Sequence, residues 1–248
     1  MSSKWIEGRV VGQHRWTERL YSIRIDAALE PFRAGQFGRL ALEIEGEMVA
    51  RPYSFVNGPR ETPHEFYYIH LAHGPLTSRL VVLTPGDRIF LAPRAAGFLT
   101  LAEVPEARHL WLLSTGTAVG PFLSILKTEE VWQRFERVVL VHAVREAAEL
   151  SYRDPLDALR AAHPRQFDFV PFVSRENTDG AIRGRIPDAI QDGRLETATG
   201  IRIAADHSQV MLCGNPAMVT DTLTVLEAWG LKRHKRKAPG HIHLESYW

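Results

Sequence analysis

Arg51-Pro52-Tyr53-Ser54 sets a cation, a flat aromatic hydroxyl and a small hydroxyl within four positions. On a strand, Arg51 and Tyr53 share one face and Ser54 takes the other, unless Pro52 breaks the alternation. The trio suits phosphate pairing and ring stacking, and it equally suits an exposed edge strand. Ser114-Thr115-Gly116-Thr117-Ala118-Val119-Gly120-Pro121 follows the apolar run Leu110-Trp111-Leu112-Leu113. Small residues at a strand-to-helix turn let backbone N–H groups approach a diphosphate. The segment lacks the spacing of G-x-G-x-x-G and the lysine of a P-loop, and a plain tight turn accounts for it as well. Ser174-Arg175, with Arg183 and Arg185 downstream, offers guanidinium groups that pair bidentately with a phosphate such as the 2′-phosphate of NADP. The alternative is solvated surface arginine. Cys213-Gly214-Asn215-Pro216 brings another strand end to another helix start, with Cys213 either in that crevice or a buried small apolar residue.

Two further segments are chemically pointed. The chain closes on His241-Ile242-His243-Leu244-Glu245-Ser246-Tyr247-Trp248. Terminal residues are usually polar, so Tyr247 and Trp248 suggest stacking on something flat, or docking into the core. Lys232-Arg233-His234-Lys235-Arg236-Lys237 has a cation at every position but His234, and no acid occurs from Leu231 to His243. The run attracts an acidic protein, an anionic cofactor or nucleic acid, or it is a solvated turn. No H-E-x-x-H, Cys–His cluster or G-x-S-x-G elbow occurs, so neither a metal site nor a serine hydrolase is expected.

These residues need a scaffold, and the patterning supplies two. The 248 residues are 45% hydrophobic and 24% charged with a net charge of +1, which excludes disorder and any overall field of one sign. The single cysteine excludes an internal disulfide and an all-cysteine cluster. Short apolar or alternating runs at 5–11, 20–25, 38–44, 55–56, 66–71 and 88–91, punctuated by glycine and proline, predict an antiparallel barrel. A helix over 76–83, with Thr77 as its N-cap, interrupts them. After a boundary near 99–104, strands at 110–113, 138–143, 167–173 and 210–213 alternate with helices at 122–131, 152–162, 187–195 and 216–229. That alternation predicts a parallel sheet covered by helices. The first residues carry no signal-peptide core, and no run reaches the ~18 apolar residues of a membrane span, so a cytoplasmic protein is expected.

In this order, the segments resemble the bacterial ferredoxin (flavodoxin)–NADP reductases over nearly the whole chain. The resemblance rests on Arg51-Pro52-Tyr53-Ser54, Gly74-Pro75-Leu76-Thr77-Ser78-Arg79-Leu80, Ala96-Gly97-Phe98-Leu99 and Gly116-Thr117-Ala118-Val119-Gly120-Pro121. It continues through Leu140-Val141-His142-Ala143-Val144-Arg145, Leu150-Ser151-Tyr152, Val173-Ser174-Arg175-Glu176, Arg183-Gly184-Arg185-Ile186-Pro187, Met211-Leu212-Cys213-Gly214-Asn215-Pro216 and Tyr247-Trp248. It implies an FAD-binding β-barrel over residues 1–101 and a Rossmann-like NADP-binding α/β domain over 102–248, whose aromatic tail returns to the flavin. Arg51, Tyr53 and Ser54 would hold the flavin and its diphosphate, with Ser54 near the flavin N5. A strand carrying His70 and Leu71 would line the flavin. Gly74, Leu76 and Thr77 would set a helix start on the diphosphate, Thr117 would sit where the cofactors meet, and Gly116 would bind NADP. Arg145, Ser174, Arg175 and Arg185 would bind NADP, and Cys213 and Gly214 would abut its nicotinamide. Tyr247 and Trp248 would cover the flavin and the adenine, in an order left open; Ser54, Cys213, Tyr247 and Trp248 form the implied catalytic set. Pro52, Pro75 and Ala118 depart from relatives without removing a side chain that the chemistry needs.

The implied reaction exchanges a hydride with NADP(H) and single electrons with ferredoxin or flavodoxin, because a flavin converts between the two currencies. The acidic carrier would dock near Lys232, Arg233, Lys235, Arg236 and Lys237 of a monomeric enzyme, with no nucleic-acid or membrane partner. A flavin reductase serving a free acceptor, or a non-enzymatic binding module, remain the competing readings.

Overall fold

Alternation of apolar and polar residues builds six antiparallel strands in the first part of the chain. In a computed structural model, which describes residues 4–246, these are β1 (Ile6–Arg15), β2 (Leu20–Asp26), β3 (Phe37–Ile44), β4 (Glu47–Ser54), β5 (His64–Ile69) and β6 (Arg88–Leu91). Their order is β4-β3-β6-β1-β2-β5. The ends of this sheet meet through a bridge between Phe55 and Phe66 and a bond from Val56 N–H to Glu65 O of 2.9 Å. This junction curls the sheet toward closure past the end of β4, whose outer edge before Phe55 pairs with no strand, and the bulge between Val10 and Gly12 adds a local bend. Ile23, Ile25, Leu40, Phe55, Phe66, Ile89 and Leu91 fill the interior. Phe32 stacks on Phe55 at 4.0 Å between ring centres.

The chain forms two compact units, Met1–Thr100 with Gly120–Thr128, and Leu101–Val119 with Glu129–Trp248. The first therefore includes α2 (Gly120–Leu126), every residue of which is buried. Ser124 Oγ donates to Asn57 O at 2.7 Å, and Lys127 pairs with Glu61 at 2.9 Å, so this helix belongs to the barrel energetically.

The second unit carries a parallel sheet of β7 (His109–Thr115), β8 (Arg137–Val144), β9 (Phe167–Val173), β10 (Ile182–Arg183), β11 (Ser208–Gly214) and β12 (Ile242–Ser246). Its order is β10-β9-β8-β7-β11-β12. β7, β8, β9 and β11 are almost wholly buried, which explains why they read as apolar runs rather than alternations. The chain builds outward from β7 to β10, then returns to the other side of β7 with β11. The strand order thus reverses between β7 and β11, where open α/β sheets form their crevice beyond the carboxyl ends of the strands. The helices are α3 (Glu129–Arg134), α4 (Arg153–Ala162), α5 (Ile186–Gln191), α6 (Arg194–Thr199) and α7 (Pro216–Ala228). The barrel followed by a parallel α/β unit agrees with the expected fold class.

Several local expectations are corrected. The helix over 76–83 is a single turn, α1 (Thr77–Leu80), and Leu76 rather than Thr77 precedes it. Thr77 turns its hydroxyl to the backbone of Leu71 instead of capping, with both N–H and carbonyl at 3.1 Å. β5 ends at Ile69, so His70 and Leu71 lie past the strand, although His70 N–H still donates to Arg19 O at 2.7 Å. The helix over 122–131 is two, because the Thr128 hydroxyl takes the Ile125 carbonyl at 2.7 Å and ends α2. The helix over 187–195 is also interrupted: Gly193 adopts φ 79°, ending α5 and opening α6. The C-terminal segment is expected only as an aromatic terminus; the register of β12 with β11, from Val210↔Ile242 to Gly214↔Ser246, makes it the sheet's last strand.

Candidate functional site

In the first unit, chemistry-bearing side chains gather at the end of β4 and past the end of β5. β4 pairs with β3 without a break, Leu40↔Arg51, Arg39↔Pro52, Gly38↔Tyr53 and Phe37↔Ser54, so Pro52 leaves the alternation intact. Pro52 is tolerated because β4 is the outer neighbour of β3 in this sheet. Arg51 is exposed, with Nη1 donating to Ala50 O at 2.8 Å, while Ser54 is buried. Tyr53 is half-buried at 6.2 Å from Tyr68, edge to face. Burial pushes the Tyr53 hydroxyl up to about 12 against the opposing pull of Arg51, so it is a neutral donor at physiological pH. The Tyr68 hydroxyl is likewise raised by burial and donates to Gln13 Oε1 at 2.6 Å. Gln13 Nε2 in turn donates to Leu80 O and Leu83 O, both at 2.8 Å, which ties α1 to this wall of rings.

Beside them opens a cleft of about 480 Å³ lined by Arg19, His70, Leu71, Ala72, His73 and Gly74. His70 packs edge-on to Tyr21 at 6.2 Å, and Leu71 exposes half of its surface there. Gly74 is needed for the shape: a Cβ would lie 2.4 Å from Thr77 Oγ1 and 3.1 Å from Leu71 Cβ. Thr77 therefore fixes the 71–77 loop from within, and Leu76 is buried beneath it. The cleft thus combines a cation, imidazoles, an apolar wall and a tight glycine turn.

In the second unit, the carboxyl ends of β7 and β11 form the crevice. Gly116 follows β7 at φ 55° and opens a single 3₁₀ turn, Gly116–Val119, with Thr117 buried. His142, fully buried on β8, donates from Nε2 to Gly116 O at 3.0 Å. A carbonyl can only accept, so this contact fixes the tautomer, and burial drives the imidazole down to about 4. Cys213 is fully buried. Gly214 adopts φ 140°, and a Cβ there would fall 2.1 Å from Thr115 Oγ1. That hydroxyl accepts the Asn215 N–H at 2.9 Å, and Asn215 Oδ1 caps α7 by accepting from Ala217 N–H at 2.9 Å. Glu245, in register with Cys213, is pushed up to about 6 by burial alone. Neither His142 nor Glu245 is among the site residues expected from the sequence. A lone imidazole directly after the run Val138–Val141 and a carboxylate two residues before the terminal aromatics are the available signals.

A third group lies along the carboxyl edge of β8, β9 and β10. Arg175 N–H donates to Arg145 O at 2.9 Å, and Ser174 Oγ donates to Val144 O at 3.2 Å, so strand pairing itself joins these residues. Gly184 N–H donates to Val173 O at 3.2 Å and delivers Arg183 and Arg185 to the same edge. Two nearby acids are committed to backbone: Glu149 Oε2 accepts from Arg145 N–H at 2.9 Å and Glu176 Oε1 from Ala147 N–H at 2.5 Å. Arg183 is held by Asn177 Oδ1 at 3.0 Å. Among the described residues, the exposed guanidinium groups of Arg145, Arg175 and Arg185 have no such partner. Three uncompensated guanidinium groups on one sheet edge attract a multiply charged anion.

The basic run forms a tight turn. Lys235 and Ala238 exchange backbone bonds of 3.0 and 2.8 Å, leaving Arg236 and Lys237 exposed at the tip. Lys232, Arg233 and Lys235 are exposed beside it, and Arg236 approaches Glu103 at 3.9 Å. The expected aromatic covers, Tyr247 and Trp248, lie outside the described residues.

A family model for the oxidoreductase NAD-binding domain matches residues 112–224, the stretch from β7 into α7. The chain is 45% identical over 245 residues to a flavodoxin/ferredoxin–NADP reductase of Shigella flexneri, covering 98% of this chain and 99% of that one. The chain belongs to the flavodoxin/ferredoxin–NADP reductase family. The Escherichia coli (strain K12) family member is 44% identical over the same share of both chains. A solved family structure, a ferredoxin NADP+ reductase from Neisseria gonorrhoeae with bound FAD and NADP, superposes with a TM-score of 0.93 over all of both chains at 32% identity. Among the described residues, no helix is long and apolar enough to cross a membrane.

Proposed function

We infer that the chain is an FAD-dependent oxidoreductase that exchanges a hydride with NADP(H) and single electrons with ferredoxin or flavodoxin. The observation on the chain itself that carries this reading is the set of free guanidinium groups of Arg145, Arg175 and Arg185 on the edge of β8–β10, next to the β7/β11 crevice. In the reading, residues 1–101 hold FAD and residues 102–248 hold NADP. The residues suit both groups. A phosphate with two negative charges fits Arg175, Arg185 and the Ser174 hydroxyl, and Arg145 adds a further cation to the dinucleotide. The Gly214 position, which no side chain can fill, lets a flat ring lie against the backbone beside Cys213. Arg51, the Tyr53 ring and the 70–77 loop suit a diphosphate and an aromatic ring system.

When bound, the flavin supplies the conversion between two-electron and one-electron transfer. The chain's own residues bind and orient. Tyr53 offers its ring face, and Ser54 offers a small hydroxyl for the flavin N5 edge. Leu71 contributes an apolar wall that excludes water, and Gly74, Leu76 and Thr77 shape the diphosphate loop. Gly116 and Thr117 border the nicotinamide, with the Gly116 carbonyl aimed by His142. Buried Cys213 keeps that pocket apolar, which favours correct ring placement over side reactions with water. Tyr247 and Trp248 complete the reading as ring covers. Lys232, Arg233, Lys235, Arg236 and Lys237 receive the acidic carrier, and the enzyme works as a cytoplasmic monomer.

The test is a coupled assay of the purified flavin-loaded protein with NADPH and cytochrome c, with and without ferredoxin or flavodoxin. The carrier should raise cytochrome c reduction manyfold, and Arg145→Ala and Arg175→Ala should each raise KM for NADPH. A rate indifferent to either carrier contradicts the carrier assignment.

A further inference from the structure

Arg194 lies near the free guanidinium cluster, and its contacts reach the cluster's own backbone. Its Nη1 donates to Arg183 O at 2.5 Å, and its Nε donates to Asp192 Oδ2 at 2.8 Å. Nη2 completes a fork on the same carboxylate at 2.8 Å, and Asp192 Oδ1 also accepts Arg194 N–H at 3.1 Å. The guanidinium is therefore aimed by Asp192 before it meets the carbonyl. The recipient matters more. The peptide unit joining Arg183 to Gly184 is held at both ends: its carbonyl by Arg194, its N–H by Val173 O at 3.2 Å. Gly184 sits at φ 120°, a conformation with low torsional resistance for glycine alone. Arg185 follows directly, as the extended residue before α5. The glycine preceding Arg185 is thus restrained through its peptide by Val173 on one side and by Arg194 on the other.

We propose that Arg194, clamped by Asp192, is a positioning residue for NADP selectivity: it locks the Arg183–Gly184 peptide and so aims Arg185 at the 2′-phosphate. The proposal rests on the reading of Arg175 and Arg185 as the 2′-phosphate site. Arg194 touches no ligand in this scheme, since its fork is occupied by Asp192 and the Arg183 carbonyl. The Asp192–Arg194 pair is exposed on both sides, with side-chain exposures of 48% and 43%, so it contributes little to overall stability. Its loss should be read in ligand discrimination rather than in folding.

The experiment measures KM and kcat for NADPH and NADH in the flavin-loaded protein, with thermal midpoints, for Arg194→Met, Arg194→Lys and Arg185→Ala. Arg194→Met should raise KM for NADPH about tenfold, as a small misplacement of a binding group does. KM for NADH, kcat and the thermal midpoint should stay at wild-type values. Arg194→Lys should recover part of the loss, since an ammonium still donates to the carbonyl. Arg185→Ala should reduce the preference for NADPH at least as strongly. If Arg185→Ala reduces the preference and Arg194→Met does not, the positioning role is refuted. A parallel loss with both nucleotides and a lower thermal midpoint in Arg194→Met also refutes it. If Arg185→Ala itself leaves the preference unchanged, the 2′-phosphate reading fails instead.

Discussion

Glu245 and Gly214 show how single residues at the sheet's carboxyl edge constrain the chemistry. Burial raises the Glu245 carboxyl from 4.5 to about 6, so the folded chain holds this proton more tightly than the unfolded chain. The sign follows: stability is unpenalised below pH 4.5 and declines as pH rises through 6, by about 2 kcal/mol in all. Glu245→Gln should therefore stabilise the protein at pH 7.5 by about that amount relative to its effect at pH 4.5. Urea unfolding at the two pH values measures this, and an equal effect at both would show that burial does not set the shift. At Gly214, an added Cβ would collide with Thr115 Oγ1 at 2.1 Å and cannot relax without displacing the Asn215 bond. Gly214→Ala should cut kcat/KM for NADPH by about a hundredfold while leaving flavin content unchanged. The sequence marks the two residues unequally. Gly214 announces itself between Cys213 and an Asn-Pro helix start, whereas Glu245 becomes notable only once β12 pairs with β11 and buries it.

At the scale of elements, the apolar runs Leu110–Leu113 and Val138–Ala143 were legible as strands because a parallel sheet buries both faces. Their boundaries were less so. α2 and α3, and α5 and α6, read as continuous helices because their apolar spacing carries across the break. The interruptions come from a Thr128 side chain turning onto Ile125 O and from the φ 79° of Gly193. Neither is visible in periodicity. Thr77 looked like a cap because threonine caps helices, yet a one-turn helix gives it more to gain from the Leu71 backbone. β8 carries a consequence of its own. His142 is neutral in the folded chain, with its imidazole driven down to about 4, while the unfolded chain takes up a proton near 6.5. The stability it supports is complete above pH 6.5 and is lost as pH falls through 4. His142→Phe keeps a planar ring but abolishes the bond to Gly116 O. Its thermal midpoint should vary less than the wild type's between pH 7 and 4.5, and its KM for NADPH should rise. A wild-type pH slope in the variant would contradict the buried neutral imidazole.

Over the whole molecule, a net charge of +1 conceals a strongly basic turn. Charge asymmetry of this kind acts on encounter rate, and it is screened over about 8 Å at physiological salt. Reversing Lys235 and Lys237 to glutamate should lower kcat/KM for ferredoxin or flavodoxin about tenfold at low salt, with variant and wild type converging near 0.5 M. Turnover with a small neutral quinone should not change, and a salt dependence like the wild type's would remove the turn from the docking surface. The barrel and the parallel sheet were both readable from patterning. The assignment of helix α2 to the barrel unit was not, because its contacts with the 57–61 loop are made far along the chain.

The visible spectrum of the purified protein before and after anaerobic NADPH tests the central claim most directly. Flavin bands that bleach on stoichiometric NADPH, and bleach far less with NADH, are the predicted result. A protein that stays colourless after incubation with FAD, or a yellow one that NADPH leaves unchanged, would contradict it.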